Sequence, residues 1–474
     1  MSCSQTRQRQ KVVDFTRRVS NGERLFSLSP FSVVGMVARV EGEITIPMLR
    51  EALHKARIRH PLLGARIVWD PQGEPWFTTE GAGDIPVEVV QRASADQWIE
   101  VVVRERQVPF DFGERPPVRI FLIQSDAVCE MIILCHHIIC DGLSLAFLAR
   151  DLLTYLGEPD LPVDQTLAPV PVDADSLPSD LSLNKVASYF VDRINRKWQV
   201  EKETFGQQDY VSLCEAYWRQ FDHQCLSVEL SKVETDELVA RCRRNQVTVN
   251  SALTAAFAGA RATVLASEVQ NPKVAVAVNL RGRLDGPVGE AMGFYAGAPT
   301  LRCRYRAKQV FWANARRYQK AIRSRLGDKQ VLQDFLTWSH LDPTILEAVN
   351  FKKLGHLIAQ GQASYDRLRA FASRDDVVTR ILKRDGQLAL DRVAIGTAIT
   401  NLTRLEFAIA YGPLRLDRLM MVPGGAFPLV NCGLVLGAVT CAGKLSLTIG
   451  YAEQAVSTPT MAQIRDLAMA WLSR

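Results

Sequence analysis

The run Cys135-His136-His137-Ile138-Ile139-Cys140-Asp141-Gly142 decides how the rest of the chain is read. It follows Met131-Ile132-Ile133-Leu134, an apolar run whose length and isoleucines predict a buried strand. It precedes Leu143 to Leu153, whose leucines, alanines and phenylalanine suit a buried or amphipathic helix. The histidine pair therefore falls where a strand ends, and Asp141-Gly142 falls in the turn that opens the next helix. Successive side chains of a strand point to opposite faces. One of His136 and His137 is thus expected to face a cleft and the other to face packing.

Each chemistry open to this run makes a different demand. Histidine, aspartate and cysteine are all metal ligands, but two diverging imidazoles cannot easily share one ion. His223, His340 and His356 stand isolated and no HExxH occurs, so no metal is expected. No GxSxG elbow supports a serine nucleophile. Cys135 and Cys140 sit in an apolar setting, where a thiol is usually inert. A neutral imidazole facing a cleft can take a proton from an attacking hydroxyl or amine. Gly142 would let the backbone turn sharply or pass close to a substrate. On these residues alone, a pair of core histidines at a strand end remains the competing explanation.

With 474 residues, two domains sharing an interface are expected. Hydrophobic residues make up 47% and charged residues 23%, the balance of an ordinary globular protein. The net charge of +6 is too small an excess to argue for nucleic acid, though a basic patch would suit an anionic cofactor or an acidic carrier protein. Ten scattered cysteines without a CxxC pair read as reduced, buried thiols of a cytoplasmic protein. Met1 to Lys11 is polar and basic with no apolar core after it, so no secretory signal is expected. Met420 to Gly443 is uncharged and long enough to span a bilayer. Pro423, Gly424, Gly425, Pro428 and Asn431 break it into strand, loop and strand, so no transmembrane segment is expected.

Before the histidine run, Phe31 to Val40 reads as extended, Ile46 to His60 as a helix with Pro47 in its first turn, and Ala65 to Trp69 as a strand. Ala95 to Gln107 reads as a second helix, and Val118 to Ile123 pairs with the strand before His136 as a hairpin. Gly157 to Asp180 has the Pro, Asp and Ser content of a surface linker. Beyond it, helices are expected at 184–199, 234–244 and 251–261, the last capped by Asn250. Strands are expected at 225–230, 274–280, 293–301, 395–400, 414–422, 432–439 and 445–451. Helical spacing dominates 305–360, and a closing helix covers 460–472. The lobes are placed at 1–180 and 181–474, with a crossover around 401–445.

His136-His137-Ile138-Ile139-Cys140-Asp141-Gly142 resembles the HHxxxDG signature of the condensation-domain and acyltransferase superfamily, which shares the chloramphenicol acetyltransferase fold. Other segments resemble that superfamily in the same order. Arg59-His60-Pro61-Leu62-Leu63-Gly64-Ala65-Arg66 is similar to its RHxxLR segment. Asn279-Leu280-Arg281 with Met292-Gly293-Phe294-Tyr295 is similar to its later GxF-type strand. Thr400-Asn401-Leu402 with Tyr411-Gly412-Pro413-Leu414 is similar to the region leading to the crossover between lobes.

The resemblance implies an α/β (α+β) protein of two chloramphenicol acetyltransferase-like lobes, each a mixed sheet with helices, meeting at a tunnel. It gives His137 the role of catalytic base, His136 a packing role and Asp141 a structural role in an ion pair, for which Arg281 is the candidate partner. The backbone near Gly142 and the side chain of Asn401 are candidate oxyanion donors, with substrate binding the alternative role for Asn401. The implied reaction moves an acyl group from a diffusible thioester, acyl-CoA or a phosphopantetheine-linked acyl carrier protein acting in trans, to a hydroxyl acceptor. No bound cofactor is expected, and the chain is expected to act as a monomer. Absence of a DFGWG segment argues against the plant branch, and absence of a recognisable tyrosine- and tryptophan-bearing segment between the lobes favours stand-alone O-acyltransferases of polyketide and lipid assembly. A stand-alone condensation enzyme joining an amine to a carrier-bound acyl group is the alternative, and a catalytically silent homologue a third reading. The basic residues from Arg302 to Arg325, Arg316 and Arg317 among them, are a candidate docking face for an acidic carrier, against the plainer reading of a solvated helix face.

Overall fold

The structure is a computed structural model and describes residues 13–266, 272–384, 393–424 and 432–474. Met1 to Lys11 and residues 425–431 of the uncharged segment lie outside the described residues.

The strand that carries the histidine run is Val128–His136. Met131 to Cys135 have no solvent exposure, because strands flank this one on both sides and its two faces are covered. Val33–Glu41 runs antiparallel on one side, with Val33 opposite His136 and Glu41 opposite Val128. Val118–Gln124 runs antiparallel on the other, with Val118 opposite Cys135. Burial on both faces is why its sequence is an unbroken apolar run rather than an alternating one.

These strands belong to a six-stranded mixed sheet, ordered Ala410–Tyr411, Leu414–Val422, Val33–Glu41, Val128–His136, Val118–Gln124, Val87–Gln91. A second six-stranded mixed sheet is ordered Thr300–Arg302, Lys273–Val276, Thr397–Leu405, Val435–Cys441, Lys444–Ala452, His223–Glu229. The molecule is thus two α/β lobes. Two strands from the second half of the chain, 410–411 and 414–422, belong to the first sheet, where Leu414–Val422 pairs antiparallel with Val33–Glu41. The crossing is short, because 397–405 and 435–441 on either side of it stay in the second sheet. Glu229 of the second sheet binds Arg39 at 2.9 Å and Arg418 at 3.3 Å, clamping the sheets where they meet.

Two large cores follow this division. The larger gathers the first sheet with the helices Lys185–Glu201 and Gln207–Gln220, through Trp198, Tyr210, Leu213 and Tyr217, and with Pro343–Leu354, through Phe351. The smaller lies under the second sheet against Val249–Val264 and Thr458–Leu472.

The helices at 46–59, 185–201, 232–244 and 458–472 form close to where the sequence places them. Three details differ. The helix expected from 251 begins at Val249 and is capped by Thr248, whose side chain accepts from the Ser251 N–H at 3.1 Å; Asn250 lies inside the first turn. The strand expected at 293–301 is instead a turn followed by the two short strands Ala296–Gly297 and Thr300–Arg302. Gly293 adopts φ +159, and an added Cβ there would collide with the Tyr295 ring, so the chain folds back on itself at this point. The short helix Asn21–Ser27 also forms, opened by the reciprocal Ser20 and Glu23 capping box.

Candidate active site

His136 ends the buried strand, and His137 is the first residue beyond it, its N–H bonded to the Ser32 carbonyl at 2.8 Å. The two imidazoles diverge. His136 has no exposure and is boxed edge-on by Phe110, Phe112 and Tyr210. Its Nε2 lies 3.3 Å from the Ser29 carbonyl, and its Nδ1 accepts from the Ile138 N–H at 3.3 Å. A ring that donates from Nε2 and accepts at Nδ1 is neutral, and burial pushes its pKa down to about 3.

His137 remains partly exposed and faces the other way. Its ring packs beside Phe26 and Phe294, at centroid distances of 5.2 and 5.3 Å, and those two rings lie 4.4 Å from each other. Its Nδ1 is 3.0 Å from the Cys140 carbonyl, an acceptor that requires Nδ1 to carry the proton. Nε2 therefore presents a lone pair, and beside it runs the Gly424 backbone: a Cβ at Gly424 would lie 3.3 Å from that nitrogen. Burial lowers the His137 pKa; the Cys140 carbonyl and the charge of Asp141 act against that shift, and the charge of Arg106 adds to it. A neutral, singly tautomeric imidazole with one free lone pair can accept a proton at neutral pH.

Asp141 holds this arrangement in place. Its carboxylate caps the helix Gly142–Gly157 by accepting from the Ser144 N–H at 2.7 Å. The same carboxylate accepts from Arg281 Nη1 at 2.8 Å and Nη2 at 3.2 Å, and from the Tyr295 N–H at 3.1 Å. Arg281 also donates to the Ser144 hydroxyl at 2.8 Å, and that hydroxyl donates to the Gly293 carbonyl at 2.9 Å. The turn opening the helix is thereby fastened to the segment that carries Phe294. Asp141 and His137 act on the same loop from opposite ends, and the carboxylate does not hydrogen-bond the imidazole.

Gly142 sits where the second sheet and the crossover close on the helix. A Cβ there would lie 2.9 Å from both Leu402 Cδ2 and Met421 Cε. Leu402 therefore faces the histidine loop, and its neighbour Asn401 does not. Ile399, on the Asn401 side of the strand, belongs to the core under the second sheet. Asn401 lines a cavity of about 660 Å³ with Leu238, Val249, Gln319 and Arg404, and its Oδ1 accepts from the Thr403 N–H at 2.8 Å. Alternation along the strand thus turns this side chain away from the face that Leu402 presents to the histidine loop.

The RHxxLR-like segment has a structural part. His60 is fully buried, with Nε2 2.9 Å from Asp151, which also binds Arg59 at 2.9 Å and Arg150 at 2.7 Å. Arg150 reaches Glu290 at 2.6 Å, tying the helix after Gly142 to the loop before Phe294. Arg316 and Arg317 of the basic segment donate to the Asn245 and Arg304 carbonyls, at 3.3 and 3.1 Å. All nine described cysteines are free and buried, and burial raises the Cys140 thiol pKa well above its ordinary value. No group of three or more metal-ligating side chains and no helix long and apolar enough to cross a membrane occurs among the described residues.

Phe26, Phe294, Tyr295 and Ser144 shape the site, and sequence reasoning gave none of them a role. Ser20-Asn21-Gly22-Glu23, an S-x-x-E pattern, was the available signal for the helix that presents Phe26. The helix is held by Arg24, buried against Glu347 at 2.8 Å and Glu74 at 2.6 Å.

Comparison with known proteins matches both halves of the chain to described families. A condensation-domain family model matches residues 17–163. A model of the phthiocerol/phthiodiolone dimycocerosyl transferase C-terminus matches residues 221–349. The chain belongs to the condensation-domain and acyltransferase superfamily with the chloramphenicol acetyltransferase-like fold. Trichothecene 15-O-acetyltransferase from Fusarium sporotrichioides shares the fold with a TM-score of 0.63 at 14% identity, covering 97% of this chain and 96% of that one. Polyketide synthase associated protein 5 from Mycobacterium tuberculosis does so with a TM-score of 0.58 at 16% identity, covering 97% and 98%. Surfactin synthase subunit 2 from Bacillus subtilis is 32% identical over 126 residues, 26% of this chain, which spans only 3% of that subunit's length.

Proposed function

We propose that the protein transfers an acyl group from a thioester to a hydroxyl acceptor by direct attack, with His137 as general base. The donor is acyl-CoA or an acyl-phosphopantetheine carrier. The observation that carries this reading is the His137 ring itself, its Nδ1 proton engaged by the Cys140 carbonyl and its Nε2 without a hydrogen-bond partner among the described residues, on the partly exposed side.

In the forward step Nε2 takes the acceptor's proton as the hydroxyl oxygen attacks the thioester carbonyl carbon. The oxyanion forms near the positive end of the helix that starts at Gly142. Collapse of the tetrahedral species breaks the carbon–sulfur bond, and Nε2–H returns the proton to the departing thiolate. Phe26 and Phe294 hold the ring and limit water, which would otherwise compete as acceptor. Asp141 and Arg281 are positioning residues, since neither reaches Nε2.

An ester product is favoured by the dimycocerosyl transferase model and by an O-acetyltransferase among the fold neighbours. The sequence relatives, peptide synthetases, favour an amide product instead. Mass spectrometry of products from a panel of acyl-CoA donors against matched alcohols and amines separates the two. Ester formation lost in His137→Ala supports the proposal. Amide formation alone supports the second reading, and no product with any donor contradicts both.

A further inference from the structure

Arg106 is 3% exposed, and its Nε and Nη2 atoms are buried without a hydrogen-bond partner among the described residues. No other described arginine has two such nitrogens. It ends the helix Gln97–Glu105, which packs on both Val128–His136 and His223–Glu229, one strand from each sheet. At that helix end it is Arg119 that donates to the carbonyls of Glu105 and Val108, both at 2.8 Å. The titratable groups coupled to it are Cys225, Tyr217 and His137. Burial raises the first to about 11 and the second well above its ordinary value, so both are neutral at physiological pH. A guanidinium keeps its charge under these conditions. Arg106 is therefore a cation almost wholly buried among neutral groups, and such a charge is costly to a fold unless something anionic meets it.

Its position says what could meet it. Cys225 lies opposite Gly450 in the second sheet, and a Cβ at Gly450 would lie 3.5 Å from the Pro423 ring. Pro423 leads into Gly424, beside His137 Nε2. The charge of Arg106 acts on His137 as well, so the guanidinium lies within electrostatic reach of the imidazole.

We propose that Arg106 is the binding residue for a carboxylate carried by the substrate that His137 activates or acylates. This rests on the acyl-transfer reading for what the substrate is, but not for whether a carboxylate binds. A guanidinium takes a carboxylate through two parallel hydrogen bonds, and Nε with Nη2 is the edge of the fork that this protein leaves unused. The carboxylate is on the acceptor, as in a hydroxy acid, or on the acyl group, as in a dicarboxylic thioester.

The test measures binding, not turnover, in two arms on the His137→Ala protein. One compares succinyl-CoA with butyryl-CoA, and the other compares 3-hydroxybutyrate with butane-1,3-diol. In one arm the charged member binds roughly 10- to 100-fold tighter than its neutral partner, and Arg106→Leu abolishes the difference while leaving the neutral ligand's affinity unchanged. The arm that responds identifies where the carboxylate sits. Equal binding within both pairs overturns the proposal, as does a preference that survives Arg106→Leu. Should Arg106→Leu not fold, Arg106→Lys and the comparison within the His137→Ala protein decide the matter. Failure of acyl transfer with intact carboxylate selectivity would count against the reaction and not against this site.

Discussion

Replacing Asp141 removes more than a helix cap. The carboxylate accepts four hydrogen bonds, from Ser144 N, Tyr295 N and both Nη atoms of Arg281, and the Asp141 and Arg281 side chains are 5% and 7% exposed. Asp141→Ala strands a buried guanidinium, which costs about 3–5 kcal/mol, and loses a cap worth about 1 kcal/mol. Arg281→Leu strands the carboxylate, which keeps its two backbone donors and so loses somewhat less. The double variant strands neither charge. A buried pair replaced as a whole is often neutral, so the double variant is expected to be no less stable than Asp141→Ala alone. The coupling energy is then about 2–3 kcal/mol. Urea unfolding of the four proteins, followed by circular dichroism with the slope checked for constancy, measures it. Losses that simply add, within about 0.5 kcal/mol, would refute the claim that these two residues form one latch between the lobes. Activity should fall in every variant, because the latch also sets the segment holding Phe294 against His137.

Two further outcomes follow from the buried histidine and thiols. His136 titrates near 3 when folded and at its ordinary 6.5 when unfolded, so the unfolded chain binds the extra proton. Its contribution to stability is complete above pH 6.5 and is lost as pH falls toward 3, at about 1.4 kcal/mol per pH unit. His136→Gln should flatten the pH dependence of the unfolding free energy between about pH 4 and 6 by that amount; an unchanged slope would contradict the buried neutral ring. Cys140→Ser should retain activity, and a disulfide-exchange reagent should leave the nine described cysteines of the native protein unmodified at neutral pH. Inactivation by that reagent through Cys135 or Cys140 would revive a thiol mechanism.

The histidine run was legible because its signals are local. The apolar run fixes a central strand, strand alternation separates His136 from His137, and Asp141 precedes a helix it can cap. Long-range pairing was harder to read. Leu414–Val422 is recognisable as a strand, but nothing in it announces that its partner is Val33–Glu41, at the other end of the chain. Strand parity decides where Asn401 points. An Asn in a motif-like segment invites a role, yet whether it or Leu402 faces the site depends on strand phase, and the register also shifts between Asn401 and Arg404, where Thr403 takes φ 63. Arg106 carried no sequence signal, since an arginine at a helix end is ordinarily a solvated charge; only its burial without an anion marks it.

The most direct measurement is the pH dependence of kcat/KM for the wild-type protein beside the turnover of folded His137→Ala and His137→Gln. Burial lowers the imidazole pKa, so activity should rise with pH to a plateau through an inflection below 6.5, the ordinary value. Both variants should lose roughly 100- to 10,000-fold in turnover while unfolding cooperatively, as the wild type does. Turnover within a few-fold of wild type in either variant, or a profile without that acid limb, would contradict His137 as the proton acceptor.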